Sequence, residues 1–288
     1  MIDLLSSPFM QRALIGVLLT ALVAPTLGIY LVQRRMSLIG DGIGHIALTG
    51  VGLGLLTGNQ PVYTAIAVAI AGAIAVEMVR SRGRTSGDMA LAIMFYGGIS
   101  GGVFLTGLAK GKSNANLMTY LFGSPLTITE QDLIVMGILG VIVLAVTLGL
   151  RPWLFAICQD EEYARVSGLP VRLLNLLLAV MAAVTVTVAM RAVGLLLVSA
   201  LMVVPVAAAQ LLSRGFGMTM ALSMLFGLVS GTAGFFGSIQ LDTGTGATVV
   251  LAAIALFTLV ALVTPLLRRV RRPRHTTSSS DAPEWVLE

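Results

Sequence analysis

The sequence predicts an all-α fold, a polytopic membrane helical bundle of about eight or nine transmembrane helices. Three observations predict it. Of 288 residues, 57% are hydrophobic and only 11% charged, with a mean hydropathy of +0.96. A soluble domain carries about 25% charged residues, so this chain lacks the polar side chains to cover a water-facing surface. Its apolar residues also come in runs of roughly 18 to 23, the length that crosses about 30 Å of hydrocarbon. Finally, the basic residues behind the net charge of +5 sit at the ends of those runs and form no single patch, which argues against a nucleic-acid partner.

Nine spans can be drawn, approximately 10–32, 37–57, 61–79, 89–108, 133–150, 173–190, 193–212, 217–236 and 246–267. Most connections are short and marked by Gly, Pro, Asn or Arg. With the loop after the first span placed in the cytoplasm, 14 of the 18 basic residues lie inside and only Arg12, Lys110, Lys112 and Arg191 lie outside. That bias puts the amino terminus outside and the carboxyl terminus inside. Residues 1–270 are expected to form a single transmembrane domain, and 271–288 a disordered cytoplasmic tail.

The first span is preceded by acidic sequence without a small-x-small cleavage pattern, so no cleavable signal peptide is expected. The second carries the most informative stretch, Ser37-Leu-Ile-Gly-Asp41-Gly-Ile-Gly-His45. Asp41 and His45 are one helical turn apart and share a face. An Asp at the centre of a span costs about 2.5–3.5 kcal/mol on the insertion scale, so it demands a partner or a polar cavity. Carboxylate oxygen and imidazole nitrogen are ligands for zinc, manganese or iron(II), and two of them form an incomplete shell suited to an ion that must be released. The bland alternative is an interfacial Asp41 capping a helix and a His45 hydrogen-bonded to a neighbour. Gly40, Gly42, Gly44, Gly50, Gly52 and Gly54 surround the pair, and close helix packing is the simpler reading of them.

Glu77 and Asp88 flank the arginine loop after the third span and are expected to form solvated pairs. Two connections are long, 109–132 and 151–172. In the first, Leu117 to Pro125 is apolar but too short to cross, which suggests a re-entrant or interfacial piece, and pairing of half-spans there would change the count to eight or ten. Gly111-Lys112-Ser113 in the same connection imitates the end of a phosphate-binding loop, but Thr106 occupies the position of the required first glycine. In the second connection, Asp160 to Ser167 contains helix formers, Gly168 suits a helix C′ position and Pro170 prevents continuation. A short helix at the membrane face could pass force to a soluble partner or be an ordinary solvated element. Pro205 removes a hydrogen bond from the seventh span and would let a gate bend there, with Ser199 and Gln210 as further pathway candidates. Asp242, before the last span on the outer side, could attract a cation or, as loop aspartates more often do, cap the following helix. The single Cys158 excludes an internal disulfide, and no catalytic triad or His-Glu-x-x-His pattern appears.

With these residues in view, the chain resembles the membrane permeases of bacterial metal-ion ABC importers over about residues 10–267. The resemblance is carried by Arg35-Met-Ser-Leu-Ile-Gly-Asp41 through His45 to Gly54, by Gly194 to Ala209, and by Asp242-Thr-Gly-Thr-Gly246. Ile43-Gly44-His45 stands where the family usually has Ser-His, and Thr49 where a proline is common, which leaves the metal open. The resemblance implies the type II importer fold and a bacterial inner-membrane location. It implies a homodimer with a second copy of the chain, a cytoplasmic ATPase in two copies, and an extracytoplasmic metal-binding protein. Asp160, Glu161, Glu162, Ala164 and Gly168 would contact the ATPase, Asp41 and His45 would form a transient site for the divalent metal, and no cofactor would be permanently bound. Hydrolysis would belong to the partner, so this chain would be no enzyme. A proton- or ion-coupled secondary transporter, with the same pair as a relay, and a membrane-embedded enzyme are the competing readings.

Overall fold

The structure, a computed structural model, describes residues 7–81, 87–109, 119–124 and 127–270. The expected tail 271–288, the Gly111-Lys112-Ser113 decoy and the side chain of Asp88 lie outside the described residues. The helices in chain order are α1 Pro8–Gln33, α2 Ile39–Thr57, α3 Pro61–Ser81, α4 Gly87–Leu108, α5 Glu130–Gly149, α6 Arg151–Gln159, α7 Glu161–Val166, α8 Val171–Ala189, α9 Leu195–Leu212, α10 Phe216–Leu241 and α11 Thr245–Val270. Among the described residues, eight of these are long and apolar enough to cross a membrane, and α9 is a shorter apolar helix. All nine coincide with the spans read from hydropathy.

Local sequence explains where the helices begin. Pro8 opens α1, where its fixed φ is pre-set and its missing N–H costs nothing. The Thr129 hydroxyl accepts from Asp132 N while the Asp132 carboxylate accepts from Thr129 N, a full capping box for α5. Pro152 restarts the chain directly after α5 as α6, whose Leu154 and Ile157 are buried. Residues 151–159 fall in a connection by hydropathy and are a helix in the structure, because a nine-residue amphipathic helix gives no signal of spanning length.

Burial separates the centre from the rim. In α2, 78% of the most apolar window is buried, against 17% in α4, although the two helices are in contact. Helices α1, α2, α8 and α9 therefore make the core, with α2 packed on α3 and α4 and α1 packed on α5, α8, α9 and α10. Glycine permits the closest approaches. A Cβ on Gly28 would overlap the carbonyl oxygen of Met202, so α1 and α9 meet backbone to backbone. Pro205 lies within α9, which continues unbroken as a helix past it, so it does not interrupt the span.

At the end assigned to the outside, residues 119–122 form a helical turn that lies against the α8–α9 connection. Ser124 N donates to Arg191 O. Gly123 and Gly194, both with positive φ, pack so tightly that either Cβ would overlap the other strand of chain, and Gly246 leaves room for the Val193 carbonyl. Arg191 pairs with Asp132 at 3.2 Å and lies over the Tyr120 ring, tying this piece to α5. The described part of 117–125, residues 119–124, is thus a short turn packed on the α8–α9 connection and not a span.

Candidate functional site

Helix α2 carries the intramembrane pair. Its glycines are distributed among neighbours: Gly50 and Gly54 face α3 at Thr64, Ala65 and Pro61, Gly52 faces Gly102 of α4, Gly44 faces Val186 and Leu195, and Gly40 faces Ser199 of α9. Every one of these serves close packing, the simpler of the two readings. Asp41 occupies the first turn of α2 and is half-buried. His45, one turn on, is only 4% exposed. Its ring meets Phe95 of α4 edge-on with centroids 4.2 Å apart, and its Nδ1 has no hydrogen-bond partner. A buried imidazole nitrogen left unpaired is costly, and hydrogen bonding to a neighbour, the bland alternative, is not what the structure has at that atom. Ser199 Oγ, beside Gly40, is likewise buried and unpaired.

Helix α4 holds this arrangement through glycines that the sequence reading passed over. Cβ atoms on Gly98 and Gly102 would overlap the α2 backbone at His45 and Leu48, and Thr49 Oγ1 donates to Gly98 O at 2.8 Å. Their spacing of four, in Gly97-Gly98-Ile-Ser-Gly101-Gly102, was the available signal. Among the described residues no group of three or more His, Cys, Asp or Glu side chains could hold a metal.

Asp242 sits elsewhere in the chain. It is exposed and ends α10 in the left-handed region (φ 51°), donating its N–H to Ser238 O. It closes the preceding helix, whereas the sequence reading had it capping the following one. The difference arises because α10 runs past the predicted boundary at 236, to Leu241.

At the end assigned to the cytoplasm, Asp160 caps α7, accepting from Glu162 N and Tyr163 N at 2.9 Å. Leu169 N donates to Ala164 O and Gly168 N to Arg165 O, with Gly168 at φ 81°, a Schellman closure as the sequence suggested. Ala164 is fully buried and Glu161 turns inward to Arg34, so those two hold α7 to the membrane body. The outward face is Glu162, Tyr163 (70% exposed) and Val166 (88% exposed). Tyr163 and Val166 were missed because nothing in sequence says which side of so short a helix is anchored. Glu77 is also corrected. It is buried and bonded through both oxygens to Arg80 at 2.9 Å, since α3 extends to Ser81 and carries the pair out of solvent.

Residues 6–264 match the ABC 3 transport family. The chain belongs to that family. As a family member it shares 30% identity over 264 residues with the manganese transport system membrane protein MntC of Halalkalibacterium halodurans, covering 91% of this chain and 90% of that one. It shares 31% identity with the high-affinity zinc uptake system membrane protein ZnuB of Haemophilus influenzae, over 85% of this chain and 94% of that one. The solved structure of PsaBC from Streptococcus pneumoniae in complex with Fab superposes with a TM-score of 0.84 at 29% identity, covering 93% of this chain and 97% of that one. The ABC 3 protein described here is therefore a multi-pass permease of the bacterial inner membrane with the helical fold of ABC transporter permeases.

Proposed function

We propose that this permease imports a divalent first-row metal, zinc or manganese and by ligand chemistry also iron(II), into the cytoplasm. A separate ATPase drives it and an extracytoplasmic metal-binding protein supplies it. The observation that carries the reading is the Asp41–His45 pair on the most buried spanning helix, with an unpaired nitrogen on the imidazole. An oxygen and a nitrogen ligand select borderline divalent ions over copper(I). One chain offers two ligands, and a second copy placing its pair opposite supplies two more, enough to strip water from an ion transiently without trapping it. Family membership and relatives named for manganese and zinc transport support the same reading.

The outward face of α7 supports a cytoplasmic partner. An exposed tyrosine and valine on a short, doubly capped helix suit contact with another protein surface, and a secondary transporter has no ATPase to receive it. Asp41 and His45 form the translocation site, α7 transmits the stroke of ATP binding, and Pro205 supplies the flexible point of α9. The deciding experiment measures accumulation of zinc, manganese and iron in cells with and without the gene. Loss of one metal in the deletion strain identifies the cargo, and unchanged levels of all three remove the proposal.

A further inference from the structure

Glu161, the first residue of α7, joins three helices. Its carboxylate lies 2.6 Å from Arg34 and 3.3 Å from Arg165, and it accepts from Asn175 Nδ2 at 3.4 Å. Arg34 donates its other terminal nitrogen to Asn175 Oδ1, so one guanidinium spans α7 and α8 at once. The Arg34 side chain is only 7% exposed, and Asn175 is buried. The Arg34 side chain is more deeply buried than those of Arg80 and Arg165, which are 26% and 65% exposed.

Arg34 is also where α1 ends. Arg35 N donates to Val32 O and Met36 N to Leu31 O, the two bonds of a Schellman closure, but the residue in the left-handed region is Arg35 (φ 57°) and not a glycine. An L side chain there is strained, and such strain persists only where the surroundings hold the turn. Directly beyond the turn α2 begins, with Asp41 in its first turn and His45 one turn further. A cavity of about 700 Å³, lined by Glu77, Arg80, Glu161, Arg165, Arg172 and Asn175, opens beside the network, so the joint has room to move on one side.

We propose that Arg34 is a positioning residue: through its bonds to Glu161 and Asn175 it transmits displacement of α7 to the α1–α2 turn, and so sets the placement of Asp41 and His45. This rests on the functional reading above and adds to it the route by which the ATPase stroke reaches the ion site. A load on α7 would not need to travel through the bundle, because the ion pair delivers it to the residue before the strained turn. Glu161, shared between Arg34 and Arg165, can shift its weight toward the exposed Arg165 as α7 moves.

The test uses the complete transporter, permease with its ATPase and metal-binding protein, in proteoliposomes. Arg34→Gln, Arg34→Lys, Glu161→Gln and the exchanged pair Arg34→Glu with Glu161→Arg are compared for copurification of the ATPase, ATP turnover and uptake of the cargo metal. We expect Arg34→Gln and Glu161→Gln to copurify and to hydrolyse ATP while metal moved per ATP falls at least about tenfold, with a double-mutant cycle showing strong coupling between the two positions. Arg34→Lys, which reaches Glu161 but cannot span to Asn175, should fall between. If a single variant fails to assemble, the exchanged pair decides: restored assembly with restored uptake supports the joint. Assembly with normal metal-to-ATP ratios in the single variants, or independent effects of the two positions, overturns it while leaving the transport reading intact. A wild-type complex that moves no metal overturns the transport reading itself, and the joint with it.

Discussion

An imidazole that ligates a metal must present an unprotonated nitrogen, and a carboxylate beside it must lose part of its water shell. His45 and Asp41, the pair proposed for this, lie one turn apart on an apolar, glycine-rich helix, with His45 Nδ1 buried and unpaired. Replacing either residue by alanine should abolish metal uptake and leave copurification with the ATPase unchanged. Uptake at wild-type rate in both variants would take the pair out of the pathway. Because protons compete for the same nitrogen, metal occupancy should weaken as the medium is made more acidic. Equilibrium binding of zinc or manganese to the purified permease across pH 5.5–8 checks this, and a flat profile would assign the site to carboxylates. The pair itself was legible in the sequence, since an ionisable residue inside a span stands out against apolar neighbours. That Phe95 of α4 closes on the imidazole was not, because nothing local to residue 95 marks the contact.

At the scale of an element, α7 shows how six residues acquire a direction. Its C-terminal cap, Gly168, was readable because capping is a local transaction with nearby backbone, whereas Asp160, read as part of the helix, proves to be its N-cap. Its facing was not, because Ala164 is buried and Glu161 anchored only by virtue of where α1 ends and α8 begins. The exposed residues make the prediction. Tyr163→Ala combined with Val166→Ser should weaken ATPase binding, seen as loss of the subunit from the purified complex, while the permease alone retains its thermal stability. Charge reversal at Asp160 and Glu162 should lower metal moved per ATP. Normal coupling in both sets would return α7 to a solvated element with no partner.

At the scale of the molecule, the fold depends on backbones that touch. Gly28 of α1 against Met202 of α9, and Gly98 of α4 against His45 of α2, are contacts that any side chain would force apart. Gly28→Leu should destabilise the permease by about 1–3 kcal/mol or more, read as a lowered midpoint of thermal unfolding in detergent, since an overpacked site must displace backbone. An unchanged midpoint would mean that α1 and α9 separate freely. Taken alone, the sequence determined the membrane class and the nine apolar helices, and it marked Asp41 and His45 as ionisable residues inside a span. These follow from composition, from runs of spanning length and from the cost of charge in hydrocarbon, each of which acts along the chain. The tertiary structure alone decided that Glu161 faces Arg34 and not solvent, that Glu77 is buried with Arg80, that Asp242 ends one helix rather than starting the next, and that α2 sits at the centre while α4 sits at the rim. In a chain this uniformly apolar, hydrophobicity cannot distinguish a lipid-facing side from a protein-facing one. That choice is made by where glycines let helices meet and where the few charged side chains find partners.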